Sequence, residues 1–147
     1  MLNSTTNTLQ NINEDISVGT KLPALVLPPI TRTTLALFAG ASGDHNPIHI
    51  DSDFAKQFGM EDVFAHGMLS MAYLGRMLTN WLPQANLKKF ATKFTAITQL
   101  HDVLTCSGEV IELFTDNNES LAKVLIKVEN QNGVSTLVGE ATVVISS

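Results

Sequence analysis

Residues 38–83 read FAGASGDHNPIHIDSDFAKQFGMEDVFAHGMLSMAYLGRMLTNWLP, a polar, turn-rich loop set directly before the most apolar helical segment of the chain. The second half carries the clearer signal. Between His66-Gly67 and Pro83, the run MLSMAYLGRMLTNWL (68–82) has no proline, which predicts a helix of about four turns. At ~100° per residue, Ser70, Tyr73 and Asn80 fall in one narrow stripe, while Leu69, Met71, Ala72, Leu74, Leu78 and Trp81 cover most of the remaining circumference. A helix apolar nearly all round is a buried one. It is too short to span a bilayer, so the expected cover is protein and no membrane is involved. Gly75 costs about 1 kcal/mol of helix propensity relative to alanine, and marks either ordinary core packing or a place where another backbone passes close.

Outward from this stretch the chain reads as flanking extended segments. On the N-terminal side, ISVGTKLPALVLPPI is broken by Pro23 and ended by Pro28-Pro29; TRTTLALFAGASG then predicts a short helix capped by Thr31 or Thr33 and ended by Gly40 or Gly43. A second short helix, DFAKQFG, starts from Asp51 or Ser52 and closes at Gly59. After Pro83 the period becomes two. Phe90, Thr92, Phe94, Ala96 and Thr98 share a face, as do Ala122, Val124, Ile126 and Val128, and Leu137, Gly139, Ala141, Val143 and Ile145. Asn132-Gly133 is a two-residue hairpin signal and Thr115 to Asn118 a looser turn, which together predict an antiparallel meander of about four strands. One buried helix wrapped by one antiparallel sheet makes an α+β domain.

The 147 residues suit one domain with a real core, taken as 15–147 after a frayed, Asn/Thr/Ser-rich terminus over 1–14. A formal net charge of −5 without basic runs sets nucleic acid aside as a partner. The single Cys106 forms no intramolecular disulfide and reads as a small buried thiol in a strand. The start MLNSTTNTLQNINEDI has neither a basic n-region nor an apolar h-region, so a cytoplasmic protein is expected.

Chemistry belongs where the loop meets the helix. GDHNPIHID supplies Asp44, His45, Asn46, His49 and Asp51 within nine residues. Histidine exchanges protons near neutrality, and a nearby carboxylate can orient it or share that work, which makes Asp44 and His49 the leading pair. The plain alternative is that Asp44 caps a turn and His49 packs in the sheet. A metal held by His45, His49 and Asp51 requires a helix that Pro47 opposes, so no metal is expected. No G-x-S-x-G supports Ser42 or Ser70 as a nucleophile, and glycine-rich phosphate loops are absent.

SGDHNPIH followed by AHGML resembles the signature of the MaoC-like dehydratase family, the (R)-specific enoyl-thioester hydratases and 3-hydroxyacyl-thioester dehydratases, across residues 38–82. The resemblance implies a hotdog fold, no cofactor, and a homodimer or hotdog heterodimer. It places the catalytic aspartate on Asp44, the catalytic histidine on His49 and an oxyanion-binding backbone N–H on Gly67, with Asn46 holding the loop and the water. Such a set can activate water beside the β carbon, protonate the α carbon and stabilise charge on the thioester oxygen. Which of Asp44 and His49 moves which proton is left open.

Some family members carry a serine eight residues beyond the H-G glycine, where this chain has Gly75. Ser70 and Tyr73 on the polar stripe are candidate substitutes, and His66 reads as shaping the turn before the helix. The implied substrate is an acyl-CoA or acyl-carrier-protein thioester, for whose phosphates Arg76, Lys88, Lys89 and Lys93 are the candidate cations. The hydro-lyase expectation competes with two others: a non-catalytic hotdog subunit that binds acyl thioesters or supports a catalytic partner, and a thioesterase that attacks the carbonyl and releases thiol.

Overall fold

The computed structural model describes residues 16–146; the expectation of a frayed stretch over 1–14 lies outside them. Among the described residues, five strands form one antiparallel sheet: β1 (Leu25–Val26), β2 (Leu87–Phe94), β3 (Thr105–Asp116), β4 (Glu119–Glu129) and β5 (Ser135–Ser146). Three helices accompany it, α1 (Arg32–Ser42), α2 (Ser52–Gln57) and α3 (Gly67–Trp81), and α3 is the helix expected before Pro83. None of the helices among the described residues is long and apolar enough to cross a membrane.

The strand order is β1-β3-β4-β5-β2, so only β3, β4 and β5 form the expected meander. β2 lies beside β5 at the far edge rather than next to β3, its sequence neighbour. Alternation reports which face of a strand is buried but not which strand it joins. The apolar pattern after Phe94 is also not strand. Residues 95–104 leave the sheet, where the Ala65 N–H donates to the Thr98 carbonyl (2.9 Å) and Ile30 exchanges backbone bonds with His101 and Asp102 (2.8 and 3.0 Å). This segment ties down the chain just ahead of α3.

The turn assignments exchange places. Asn117 (φ 47°) and Asn118 (φ 63°) both adopt the left-handed conformation that a two-residue hairpin demands, and asparagine tolerates it. The Asn132-Gly133 hairpin is longer, because the Asn130 side-chain oxygen accepts the N–H groups of Asn132 (3.0 Å) and Val134 (3.1 Å) and opens the loop.

The core lies between α3 and the sheet. Leu69, Leu74, Met77 and Leu78 pack in one cluster with Val110, Ala122, Val124, Ile126, Val128, Leu137 and Ala141. Full burial of each large aliphatic side chain is worth about 1.5–3 kcal/mol. Cys106 is fully buried among them, and desolvation pushes its thiol up to about 12. The expectation of a helix buried all round holds for one face only. Met68 is 54% exposed, and Ala72, Arg76, Thr79 and Asn80 are also open. β2 runs past this helix in the opposite direction, with Phe94 against Gly67 and Phe90 against Gly75. The neighbour of Gly75 is therefore an aromatic ring, not a backbone: a Cβ there would stand 3.4 Å from Phe90 Cε1.

Candidate active site

The loop between α1 and α2 is built from a sequence of side-chain-capped turns. Thr31 caps α1, and Gly43 ends it with φ 77° and its N–H on the Ala39 carbonyl. The Asp44 side chain accepts the Asn46 N–H (3.2 Å), and the Asn46 side chain accepts the Ile48 N–H (3.1 Å). Pro47 then opens a 3-10 turn, Pro47–His49, which turns His49 back toward the chain ahead of α3. Asp51 accepts the N–H groups of Asp53 and Phe54 and so starts α2. Asn46 thus holds the loop through its side-chain bond to the Ile48 N–H.

His49 Nδ1 lies 2.7 Å from the Phe64 carbonyl. A carbonyl only accepts, so Nδ1 carries the proton and Nε2 of the neutral ring keeps a free lone pair. His66 Nε2 lies 3.2 Å from the Asp44 backbone carbonyl and must donate for the same reason. The two imidazoles stack, with centroids 4.0 Å apart and planes at 27°. Side-chain atoms of Asp44, His49 and His66 all come within 4.8 Å of one another.

Burial differs within the set: Asp44 is exposed, His49 half-buried and His66 buried. Desolvation holds the His66 imidazole below the ordinary histidine range; the bond to the Asp44 carbonyl works the other way, the His49 charge adds to the lowering, and the Asp44 charge opposes it. Beside the cluster, Phe38, Ser42, Asp44, Met68, Met71, Ala72 and Phe90 line a groove of about 410 Å³. It runs from Asp44 along the open face of α3 and is apolar apart from the loop end. His66 makes no side-chain cap hydrogen bond, so Gly67 opens α3, at its positive end, without a capping side chain from His66.

Residues 15–136 match the family model described as MaoC like domain. The chain belongs to the MaoC-like dehydratase family. It is 31% identical over 134 residues to the (R)-specific enoyl-CoA hydratase of Rhodospirillum rubrum, covering 90% of both chains. It is 25% identical over 135 residues to the fatty acid synthase subunit beta of Saccharomyces cerevisiae, covering 90% of this chain and 6% of that one. Its fold superposes on the (R)-hydratase from A. caviae involved in PHA biosynthesis with a TM-score of 0.78 and 27% identity, over 88% of this chain and 97% of that one. The hotdog architecture is borne out. The relatives named hydratases and dehydratases are hydro-lyases.

Within this MaoC-like chain, Asp44, Asn46, His49 and Gly67 gather at one end of α3. His45 is exposed and Asp51 is engaged as a cap, so the trio weighed for a metal is not assembled. The trio that is assembled suits a metal poorly, because imidazole lone pairs lie in the ring plane and two stacked rings cannot aim both at one ion. Ser70 is buried on the core side of α3, and its hydroxyl has no partner among the described residues. Lys88 pairs with Glu119 (3.3 Å), and Lys89 and Lys93 line a shallow depression on the outer face of the sheet with Val138 and Glu140. Lys88 precedes Phe94 by six residues, about 20 Å along a strand, so neither Lys88 nor Lys89 joins the cluster. Arg76 is exposed one helical turn beyond Ala72, on the groove side. His66 is the site residue that sequence reasoning set aside; its adjacency to Gly67 in AHGML was the available signal.

Proposed function

We propose that this chain catalyses the (R)-specific hydration of trans-2-enoyl thioesters to 3-hydroxyacyl thioesters, and the reverse dehydration. The observation that carries the reading is the meeting of Asp44 and His49 at the loop end of an apolar groove, beside the positive end of α3. In the forward direction the water oxygen bonds to the β carbon while a base on the loop takes a water proton. The π electrons of the double bond pass toward the thioester oxygen, and the α carbon then receives a proton. His49, with Nδ1–H fixed on the Phe64 carbonyl, offers Nε2 as the base, and the Asp44 carboxyl shares the proton traffic. The Gly67 N–H stabilises the charge on the thioester oxygen. The groove takes the acyl chain, and Arg76 is the cation best placed for the phosphates of a coenzyme A or acyl-carrier-protein carrier. The half-exposed apolar face of α3 and the free edge of β2 support pairing with a second hotdog, in a homodimer or with a partner subunit.

The test is the loss of conjugated enoyl absorbance when the purified protein meets trans-2-enoyl-CoA of short and long chain, with thiol release followed in parallel. Wild type is expected to consume the enoyl group without releasing thiol, and Asp44→Asn and His49→Ala each to fall by ~10²-fold or more. Thiol release instead would make the chain a thioesterase. A folded wild type inactive on both CoA and carrier-protein thioesters would make it a binding subunit.

A further inference from the structure

The reaction above uses Asp44 and His49 and leaves the third member of the cluster idle. His66 is nonetheless the most enclosed of the three, at 1% exposure, with the Phe38 ring edge-on at 5.0 Å on one side and the His49 ring at 4.0 Å. Its Nε2–H is committed to the main-chain carbonyl of Asp44, and its buried Nδ1 has no partner among the described residues. We propose that His66 is a positioning residue, which fixes the main chain of Asp44 by one hydrogen bond and the ring plane of His49 by one stacked contact.

A second proton would sit on the buried Nδ1, with no acceptor among the described residues, against the positive end of α3 and beside His49. The ionisable groups facing it are His49 and Asp44. His66 is therefore held as the neutral ring in a single tautomer, with its proton on Nε2. The Phe64 carbonyl fixes the rotation of the His49 ring and the His66 face fixes its tilt, so the Nε2 lone pair has one direction. Misplacement by about 1 Å in such a set is worth about 10²-fold in rate.

The kinetic arm of the test rests on the hydratase reading; the spectroscopic arm does not. His66→Phe keeps a ring face and loses the N–H, whereas His66→Gln keeps an N–H and loses the face. Each is expected to lower kcat on trans-2-enoyl-CoA by about 10–10²-fold with KM changed less than about threefold. In ¹⁵N-imidazole spectra of the wild type at pH 7, His66 is expected as the Nε2–H tautomer and His49 as the Nδ1–H tautomer, and the His49 Nδ1–H shift, which reports its bond to the Phe64 carbonyl, is expected to move in both variants. His66 found as the Nδ1–H tautomer at pH 7, or folded variants with wild-type kcat and an unmoved His49 Nδ1–H shift, overturns the proposal. Should the wild type turn over no enoyl thioester, the His49 Nδ1–H shift decides alone: moved in the variants, positioning stands; unmoved, it falls. Should a variant fail to fold, the wild-type tautomer decides.

Discussion

Phe94 packs directly on the α-carbon of Gly67: a Cβ added at 67 would stand 2.7 Å from the ring Cε1 and 2.8 Å from Cδ1. The glycine that opens α3, and whose N–H the proposed chemistry uses, is thus held free of a side chain by an aromatic from β2. Phe94 is half exposed, so its ring has room to swing away. Gly67→Ala is therefore expected to fold, its better helix propensity of about 1 kcal/mol offsetting the displaced ring. With the ring pushed aside, kcat/KM is expected to fall by at least ~10-fold, against the 10²–10³-fold worth of a whole oxyanion donor. Adding Phe94→Ala is expected to recover most of that loss. A single variant with wild-type kcat/KM would show that the close approach has no bearing on the chemistry.

Leu74 lies at the centre of the contact between α3 and the sheet and is fully buried. Leu74→Ala is expected to destabilise the fold by about 2–5 kcal/mol, the range for a lost transfer contribution plus an unfilled cavity. Urea denaturation followed by circular dichroism measures it. A loss under about 1 kcal/mol would mean that the sheet closes over the space more readily than a packed core should.

The sequence made the helix and the faces of the strands legible because both rest on short-range periodicity. The zero exposure of Val124, Ile126 and Ala141 is what alternation foretold, and Thr31 and Gly43 bound α1 by local capping. Asp44 and His49 were legible from one compact motif. What depended on distant partners was not. The placement of β2 beside β5 depends on long-range pairing, and the Phe64 carbonyl that orients His49 belongs to a segment 15 residues on. His66 looked like a turn residue because its stacking partner lies 17 positions back. The half-open face of α3 was hidden for another reason: an apolar helix reads the same whether its own chain or a second one covers it.

Asp62 ties its loop to two helices, α1 and α2, and to the next residue of the loop. It accepts from Ser52 Oγ (2.5 Å) and the Val63 N–H (2.7 Å), and it pairs with Arg32 of α1. The Ser52 and Val63 hydrogen bonds, with the Arg32 charge, hold its carboxyl below the ordinary value of 3.8. A carboxyl with a depressed folded pKa adds stability that is fully present above the unfolded value and is lost as pH falls through the folded one. Asp62→Asn is thus expected to be less stable than wild type at pH 7, with the gap closing as pH falls below about 4. Urea midpoints at pH 7, 5 and 3 check it. A gap independent of pH would assign the effect to the shape of the hydrogen bonds rather than to the charge.

Gly139 offers the opposite case to Gly67. A Cβ there would stand 2.1 Å from the Ala91 carbonyl oxygen and 2.8 Å from the Thr92 Cα, both main-chain atoms of the paired strand. No rotamer change relieves such a contact, so Gly139→Ala must spread β2 from β5. The expected cost is about 3 kcal/mol or more, at the top of the overpacking range, and a fall in Tm of roughly 6–12 °C. Because β2 also carries Phe90 and Phe94 against α3, the same change moves the wall of the groove and the ring over Gly67. Activity and Tm are therefore expected to fall together in Gly139→Ala, whereas Gly67→Ala loses activity with little change in Tm. Differential scanning calorimetry beside steady-state kinetics separates the two, and a stable but inactive Gly139→Ala would show that β2 moves as a unit without weakening the sheet.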